Sequence, residues 1–340
     1  MTFYILIPIY NMERWLPGCL ASVFAQTRQN FRVILVDDGS PDGSGALCDS
    51  YAAQDSRITV IHQKNTGPYG ARRAAITACL RDCAEDDWAI FLDADDSLKP
   101  NALETIEKTF LREMCDLVVI GEDQVWQDTI VRPFPASAAY TGTVTDKAQL
   151  YRIVFRDGWY NPLWKKAVSV SLLPPEGVQA YYPVRFGEDL LQSIPLYRDC
   201  QKAVFLPDSL YNYTINPQSA TNALNYEKYQ CNSLVLRECW DFLKSQQVWS
   251  EEDFTAYLAW LRRLTRFQVS LVAKFASTIS KRAALLRQIH EDAFYAMVIA
   301  TAPGKDILLR LMQRRHYRLI CIGGTIVRHL GAVRRKVRRR

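Results

Sequence analysis

Trp88-Ala89-Ile90-Phe91-Leu92-Asp93-Ala94-Asp95-Asp96 runs through five apolar residues and then meets three carboxylates in four positions. An unbroken apolar run of this length, bounded by charge, suits a strand buried on both faces rather than a half-exposed one. The same design recurs upstream. Phe3–Ile9 gives way to Tyr10-Asn11, Arg32–Asp37 to Asp38-Gly39-Ser40, and Ile58–Gln63 to Lys64-Asn65-Thr66-Gly67. A fifth strand is expected over Asp116–Ile120. Helical stretches near Arg14–Gln26, Gly43–Gln54, Gly70–Ala84 and Asn101–Met114 lie between them, the last with an apolar stripe of Leu103, Ile106, Phe110, Leu111 and Met114. Buried strands alternating with helices predict an α/β, Rossmann-like fold: a mostly parallel central sheet covered by helices on both faces. Ligands of such sheets bind beyond the carboxyl ends of the strands, so the residues that end each strand are the candidates for function.

Farther along, the pattern loosens. From about Gln124 to Asn222 aromatic-rich loops and prolines alternate with short strand-like runs, Ala203–Leu206 and Leu210–Tyr213. Tyr226–Ala300 is helical in composition, with Ser250 and Asp253 spaced as a capping box. The chain of 340 residues, 49% apolar, can bury a sizeable core and a smaller second unit. No apolar run approaches the roughly 20 residues that span a bilayer, and Pro8 breaks the amino-terminal run, which reads as a strand and not a signal peptide. The cysteines show no metal-like or pairing pattern, so free thiols in a cytosolic setting are expected.

The strand-end residues suit a particular chemistry. Asp93 and Asp95, at i and i+2 past a buried strand, can face one cleft and offer hard oxygen ligands to Mg²⁺ or Mn²⁺ beside a diphosphate. The plainer alternative is an acidic turn in which Asp96 or Ser97 caps the next helix. Asp37 and Asp38 can accept a hydrogen bond from a base N–H such as uracil N3, or simply build a turn. Tyr10 offers a flat face for a base, or a core ring. Glu188-Asp189 can supply a general base or the acidic first turn of a helix. His62 reads as a structural strand-end residue.

Taken in order, Ile5-Leu6-Ile7-Pro8-Ile9-Tyr10-Asn11, Ala25-Gln26-Thr27, Val36-Asp37-Asp38-Gly39-Ser40-Pro41-Asp42-Gly43-Ser44 and Phe91-Leu92-Asp93-Ala94-Asp95-Asp96 closely resemble glycosyltransferase family 2, inverting enzymes of GT-A fold. Asn161-Pro162-Leu163-Trp164-Lys165-Lys166, Arg185-Phe186-Gly187-Glu188-Asp189-Leu190, Leu210-Tyr211-Asn212-Tyr213 and Asn216-Pro217-Gln218-Ser219 extend the resemblance over residues 2 to about 221. It implies that Pro8, Tyr10 and Glu13 lie against the base and ribose, with Asp37 on the uracil and Asp38 beside it. Lys64, Gly67 and Arg72 would line the donor site, Asp93 would reach the ribose side, and Asp95 would bind the metal. Asp189, with Glu188, would be the catalytic base. Two positions depart from the family pattern: Ala71-Arg72-Arg73-Ala74-Ala75 lacks the usual asparagine and glycine, and Thr214 follows Tyr213 where an arginine is common.

The charge is uneven. Lys305–Arg340 holds 12 Lys and Arg against Asp306 alone, so this segment carries +11 and, against +6 overall, the other 304 residues carry −5. Local basicity on an acidic body argues against nucleic acid and for an amphipathic segment drawn to an anionic membrane surface. The expected organisation is a GT-A domain over 1–222, with a nucleotide-sugar half (1–123) and an acceptor and catalytic-base half (124–222). A helical extension (223–303) and a basic tail (304–340) follow it. The function expected is inverting, metal-dependent transfer from a nucleotide-diphosphate sugar, UDP-linked by the resemblance, to a hydroxyl of a lipid-linked or surface-polysaccharide glycan. The enzyme would be cytoplasmic and peripheral to the inner face of the cell membrane. The alternatives are a non-catalytic nucleotide-sugar-binding partner of another transferase, which need not keep Asp93, Asp95 and Asp189, and a sugar nucleotidyltransferase. The latter would place a Gly-rich phosphate loop where Asn11-Met12-Glu13-Arg14 stands.

Overall fold

The structure is a computed structural model that describes residues 1–127, 129–134, 140–156, 160–175, 184, 186–216, 226–275 and 277–337, the last eight of these as backbone. It comprises two compact units, Met1–Ala223 and Leu224–Arg340.

The first unit opens with β1 (Phe3–Ile9), α1 (Leu16–Phe24), β2 (Phe31–Asp37), α2 (Ser44–Gln54), β3 (Ile58–His62), α3 (Gly67–Asp82) and β4 (Trp88–Phe91). These agree with the expected elements to within a few residues, because each strand is a short apolar run and each helix is bounded by turn residues. β1 pairs in parallel with β2 on one side and β4 on the other, and β2 pairs in parallel with β3. All four carboxyl ends therefore lie along one edge. Phe3, Ile5, Ile7, Val33, Leu35 and Ile90 fill the core on one face, with Leu16, Leu20 and Val23 of α1 against them.

The unit continues with β5 (Ser97–Leu98), α4 (Ala102–Glu113), β6 (Leu117–Trp126), β7 (Thr129–Arg132), β8 (Gly142–Val144), α5 (Lys147–Arg156), β9 (Lys166–Ser169), α6 (Glu188–Asp199) and β10 (Ala203–Thr214). Here the sheet turns mixed. The order is β3-β2-β1-β4-β9-β6-β10-β5, with β7 on β6 and β8 on β10. The expected fifth strand, found as β6, does not join β4; β9 stands between them, antiparallel to both. β9 has no apolar run to announce it. It is Lys166-Ala167-Val168-Ser169, and its lysine is fully buried. The two runs expected at Ala203–Leu206 and Leu210–Tyr213 are one strand, whose register against β6 shifts on either side of Ser209. The α4 stripe holds only in part. Leu103 and Ile106 are buried and Phe110 packs edge-on against Trp88, but Leu111 is 65% exposed, and Met114 lies past the helix in a left-handed turn at φ +48°.

The second unit is helical: α7 (Tyr226–Gln246), α8 (Glu251–Lys274), α9 (Ile279–Glu291), α10 (Ala293–Ala300), α11 (Ile307–Gln313) and α12 (Tyr317–Val337). Ser250 and Asp253 form the expected capping box, each side chain accepting from the other's backbone N–H. The basic segment contributes α11 and α12, and Leu309, Met312, Ile320 and Cys321 enter the same core as Val269, Val272 and Leu286.

Candidate active site

At the edge where β1 to β4 end, backbone geometry is dictated by small and acidic residues. Beyond β1, Tyr10 is 48% exposed and Asn11 takes φ +58°. The loop is stitched to the one after β2: Ser40 and Ser44 hydroxyls accept from the N–H groups of Asn11 and Met12, and Asp42 accepts from Glu13. Glu13 in turn accepts from the Gly43 N–H at 3.0 Å, and a Cβ on Gly43 would leave it too little room. Pro8 is half-buried near the end of β1, and Asn11, Glu13, Arg14, Trp15 and Asp42 line a shallow hollow.

The two carboxylates after β2 do different work. Asp37 accepts from the Ser40 N–H at 3.0 Å and lies 3.0 Å from His62 Nδ1, whose Nε2 lies 2.9 Å from Asp49. Burial pushes the Asp37 carboxyl up, but the hydrogen bonds from Ser40 and His62 outweigh it and hold the group below its ordinary range. Asp38 is turned to the loop after β3. Its two oxygens accept from Gln63 Nε2, the Thr66 N–H and hydroxyl, and the Gly67 N–H, at 2.7 to 3.1 Å. Asp38 thus caps the start of α3, where Gly67 takes φ +81°. Lys64 is exposed on the same loop.

The loop after β4 is held from β10. Tyr211 donates its hydroxyl to Asp96 at 2.7 Å and accepts from the Asp93 N–H at 3.2 Å, while the Thr214 N–H donates to Asp96 at 2.7 Å. Trp164 stacks on Tyr211, ring centres 4.4 Å apart. Asp96 therefore caps no helix; it is a buried anchor that orients Asp93 and Asp95. Burial, then Asp95 and Asp93, pushes its carboxyl well up.

Arg72 joins the two halves of the sheet. It sits on α3, 4% exposed, and its Nη2 donates to Asp93 Oδ1 at 2.9 Å. Nη1 lies 2.7 Å from Asp189 Oδ1 and 3.3 Å from Glu188 Oε1, at the first turn of α6. Gly187, at φ +78°, is the N-cap of that helix, so Glu188 and Asp189 are first-turn acids as well as partners of Arg72. Burial pushes Asp189 up and Glu188 up to about 7, with Arg72 opposing in both cases. Lys166 is fully buried near Asp189, donates to the carbonyls of Tyr160, Asn161 and Pro162, and is driven down to about 7 by burial. Arg72 is thus an internal clamp, not a residue lining an open donor surface.

The expected site residues therefore form two groups. Asp93, Asp95, Arg72, Glu188 and Asp189 belong to one connected cluster; Pro8, Tyr10, Glu13 and Asp37 lie along the ends of β1 and β2 beside it, and Asp38 and Gly67 shape the adjoining turn. Asn216 donates to Asp95 at 3.1 Å; the rest of its segment, Pro217-Gln218-Ser219, and Arg185 lie outside the described residues. Tyr211, Asn216 and Lys166 fall within quoted motifs, yet only the fold reveals what they hold.

Asp95 suits a hard cation. Its carboxyl is pushed up by burial and by Asp93, an unfavourable charge that a divalent ion would relieve. Among the described residues no three potential ligands converge, so such an ion would draw on one or two carboxylates and complete its shell with phosphate oxygens and water.

Residues 4–167 match the family model described as glycosyl transferase family 2. The chain is 30% identical over 220 residues to the uncharacterized glycosyltransferase EpsJ of Bacillus subtilis (strain 168), covering 64% of this chain and 62% of that protein. It is 37% identical over 115 residues to glycosyltransferase GlyG of Streptococcus pneumoniae serotype 4, covering 34% and 37%. The chain thus spans less than two thirds of either relative. Among solved structures, S. aureus TarS 1-349 in complex with UDP superposes with a TM-score of 0.68 at 19% identity, over 94% of this chain and 90% of that one; its complex with UDP-GlcNAc gives 0.67. At this identity the likeness speaks for the GT-A fold, including a helical region after the sheet.

Proposed function

Because residues 4–167 match the model of glycosyl transferase family 2, we propose that this chain is a member of that family, that it transfers a sugar from a UDP-linked donor to an acceptor hydroxyl, with inversion, and that Asp189 is the base. The observation that carries the reading is the Arg72 clamp, which ties Asp93 of the donor edge to Glu188 and Asp189 across the sheet. A UDP donor is supported by the UDP and UDP-GlcNAc seen in the TarS structures, and by Tyr10, Glu13 and Asp37 at the ends of the first two strands.

Displacement at an anomeric carbon needs a hydroxyl deprotonated on the face away from the departing diphosphate, and one carboxylate suffices. Asp189 is suited to it. Burial raises its proton affinity, which strengthens it as a base, while Arg72 opposes that rise and holds one carboxylate oxygen at 2.7 Å. Glu188, raised to about 7, can share or pass on the proton. Asp95 and Asp93 would hold Mg²⁺ or Mn²⁺, which when bound offsets the charge of the leaving diphosphate. Asp37 and Glu13 orient the nucleoside end. The acceptor proposed is a lipid-linked or surface-polysaccharide glycan, reached at an anionic membrane surface to which the basic segment is drawn. The retention of Asp93, Asp95 and Asp189 in one cluster favours this over a non-catalytic nucleotide-sugar-binding partner.

Asp189→Asn tests the assignment. Transfer should fall at least a thousandfold, about 4 kcal/mol of lost transition-state stabilisation, while UDP binding by calorimetry stays within a few fold. Turnover near that of the unaltered chain removes Asp189 as base.

A further inference from the structure

In the unit Leu224–Arg340, α12 is apolar on two opposite sides. Its inner side carries Tyr317, Ile320, Cys321 and Gly324, all buried. A Cβ on Gly324 would collide with the Ala273 carbonyl of α8, and Arg328 Nη1 donates to the Phe275 carbonyl at 3.1 Å. These close contacts fix the rotation of the helix. With about 3.6 residues per turn, Leu319, Ile322 and Ile326 then face the other way, and they are 55%, 43% and 54% exposed. A merely solvated helix face would be polar. Three large apolar side chains aligned in one stripe exceed the single, scattered exposure normal for a surface.

The charge around them has one sign. Arg310, Arg314, Arg315 and Arg318 are exposed before and at the start of α12. Lys305–Arg340 as a whole carries 12 basic residues against one acid. We propose that this face of α12 binds the surface of an anionic lipid bilayer, its apolar stripe sunk to the acyl boundary and its arginines among the headgroups. No described helix is long and apolar enough to cross a membrane, so α12 would lie in the surface plane. A second copy of the chain is a poor occupant, because pairing the face with itself would set the exposed Arg310, Arg314, Arg315 and Arg318 against their own copies. The proposal extends the transferase reading only in bringing the chain to a lipid-borne acceptor.

Flotation of the full chain tests it, with vesicles of phosphatidylcholine alone and of equimolar phosphatidylcholine and phosphatidylglycerol. The chain should float with the anionic vesicles only, less so at high salt. The triple substitution Leu319→Ser, Ile322→Ser, Ile326→Ser should weaken partition about tenfold or more. These side chains are exposed, so thermal unfolding and UDP calorimetry should match the unaltered chain. No flotation with anionic vesicles, equal flotation with neutral ones, or a triple variant that floats unchanged would each overturn the proposal. So would a solution dimer that the triple substitution dissociates, which would give the face to a second copy. Failure of the unaltered chain to bind UDP would sink the transferase reading and leave this face standing.

Discussion

At the scale of single residues, the site depends on one buried cation among three carboxylates. Arg72 offsets the crowded negative charge of Asp93, Glu188 and Asp189 by lying 2.7 to 3.3 Å from an oxygen of each. Arg72→Met should therefore cost about 3–5 kcal/mol, the range for stranding one side of a buried ion pair. Urea unfolding measures it, and a loss under 1 kcal/mol would mean the clamp is idle. His62 offers a second test. Asp49 and Asp37 raise its pKa above the ordinary 6.5, and Asp37 lies below its ordinary 3.8. Stability from the raised histidine is complete below 6.5 and lost as pH climbs through the raised value; that from the lowered aspartate is present above 3.8 and lost as pH falls through the lowered value. The link is thus most secure between those limits. In Asp49→Asn the His62 midpoint, followed by NMR, should drop toward 6.5, and an unmoved midpoint would contradict the contact. The residue types of this site were legible in the sequence; their partners were not. Nothing local says that Arg72 reaches Glu188, 116 positions away, or that Asp38 is spent on Thr66 and Gly67 while its neighbour Asp37 is held by Ser40 and His62.

At the scale of elements, legibility followed apolar length. β1, β2 and β4 are built on apolar runs of four or more residues and β3 on a shorter one, and their positions could be read directly. β9 could not, because four residues led by a lysine give no periodic signal, and that lysine is buried only because three carbonyls of residues 160–162 receive it. β10 was read as two pieces because Pro207-Asp208 interrupts it. Yet β10 delivers Tyr211, whose hydroxyl anchors the acidic loop after β4. Tyr211→Phe leaves the Asp96 carboxylate short of one donor and should cost roughly 1–3 kcal/mol. The ring would keep its stack on Trp164, so the loss would report the hydroxyl alone; an unchanged unfolding midpoint would show that the anchor is replaced by water. Gly67→Ala probes the turn into α3. Open space surrounds its Cβ position, so only the left-handed backbone at φ +81° resists, at about 1–2 kcal/mol.

At the scale of the molecule, the parallel half of the sheet collects the ends of β1 to β4, and the mixed half brings α6 and β10 to the same cluster of charge. Met1–Ala223 has its own core, so a fragment of those residues is expected to fold cooperatively and to bind UDP as the full chain does; a fragment that remains unfolded would show that the helical unit is required. The most direct test of the central claim is calorimetry of the full chain with UDP, with and without Mn²⁺, repeated for Asp95→Asn. Tight binding that needs Mn²⁺, weakened at least tenfold by Asp95→Asn, is the result predicted. Equal affinity with and without the ion, unaffected by the substitution, would contradict it.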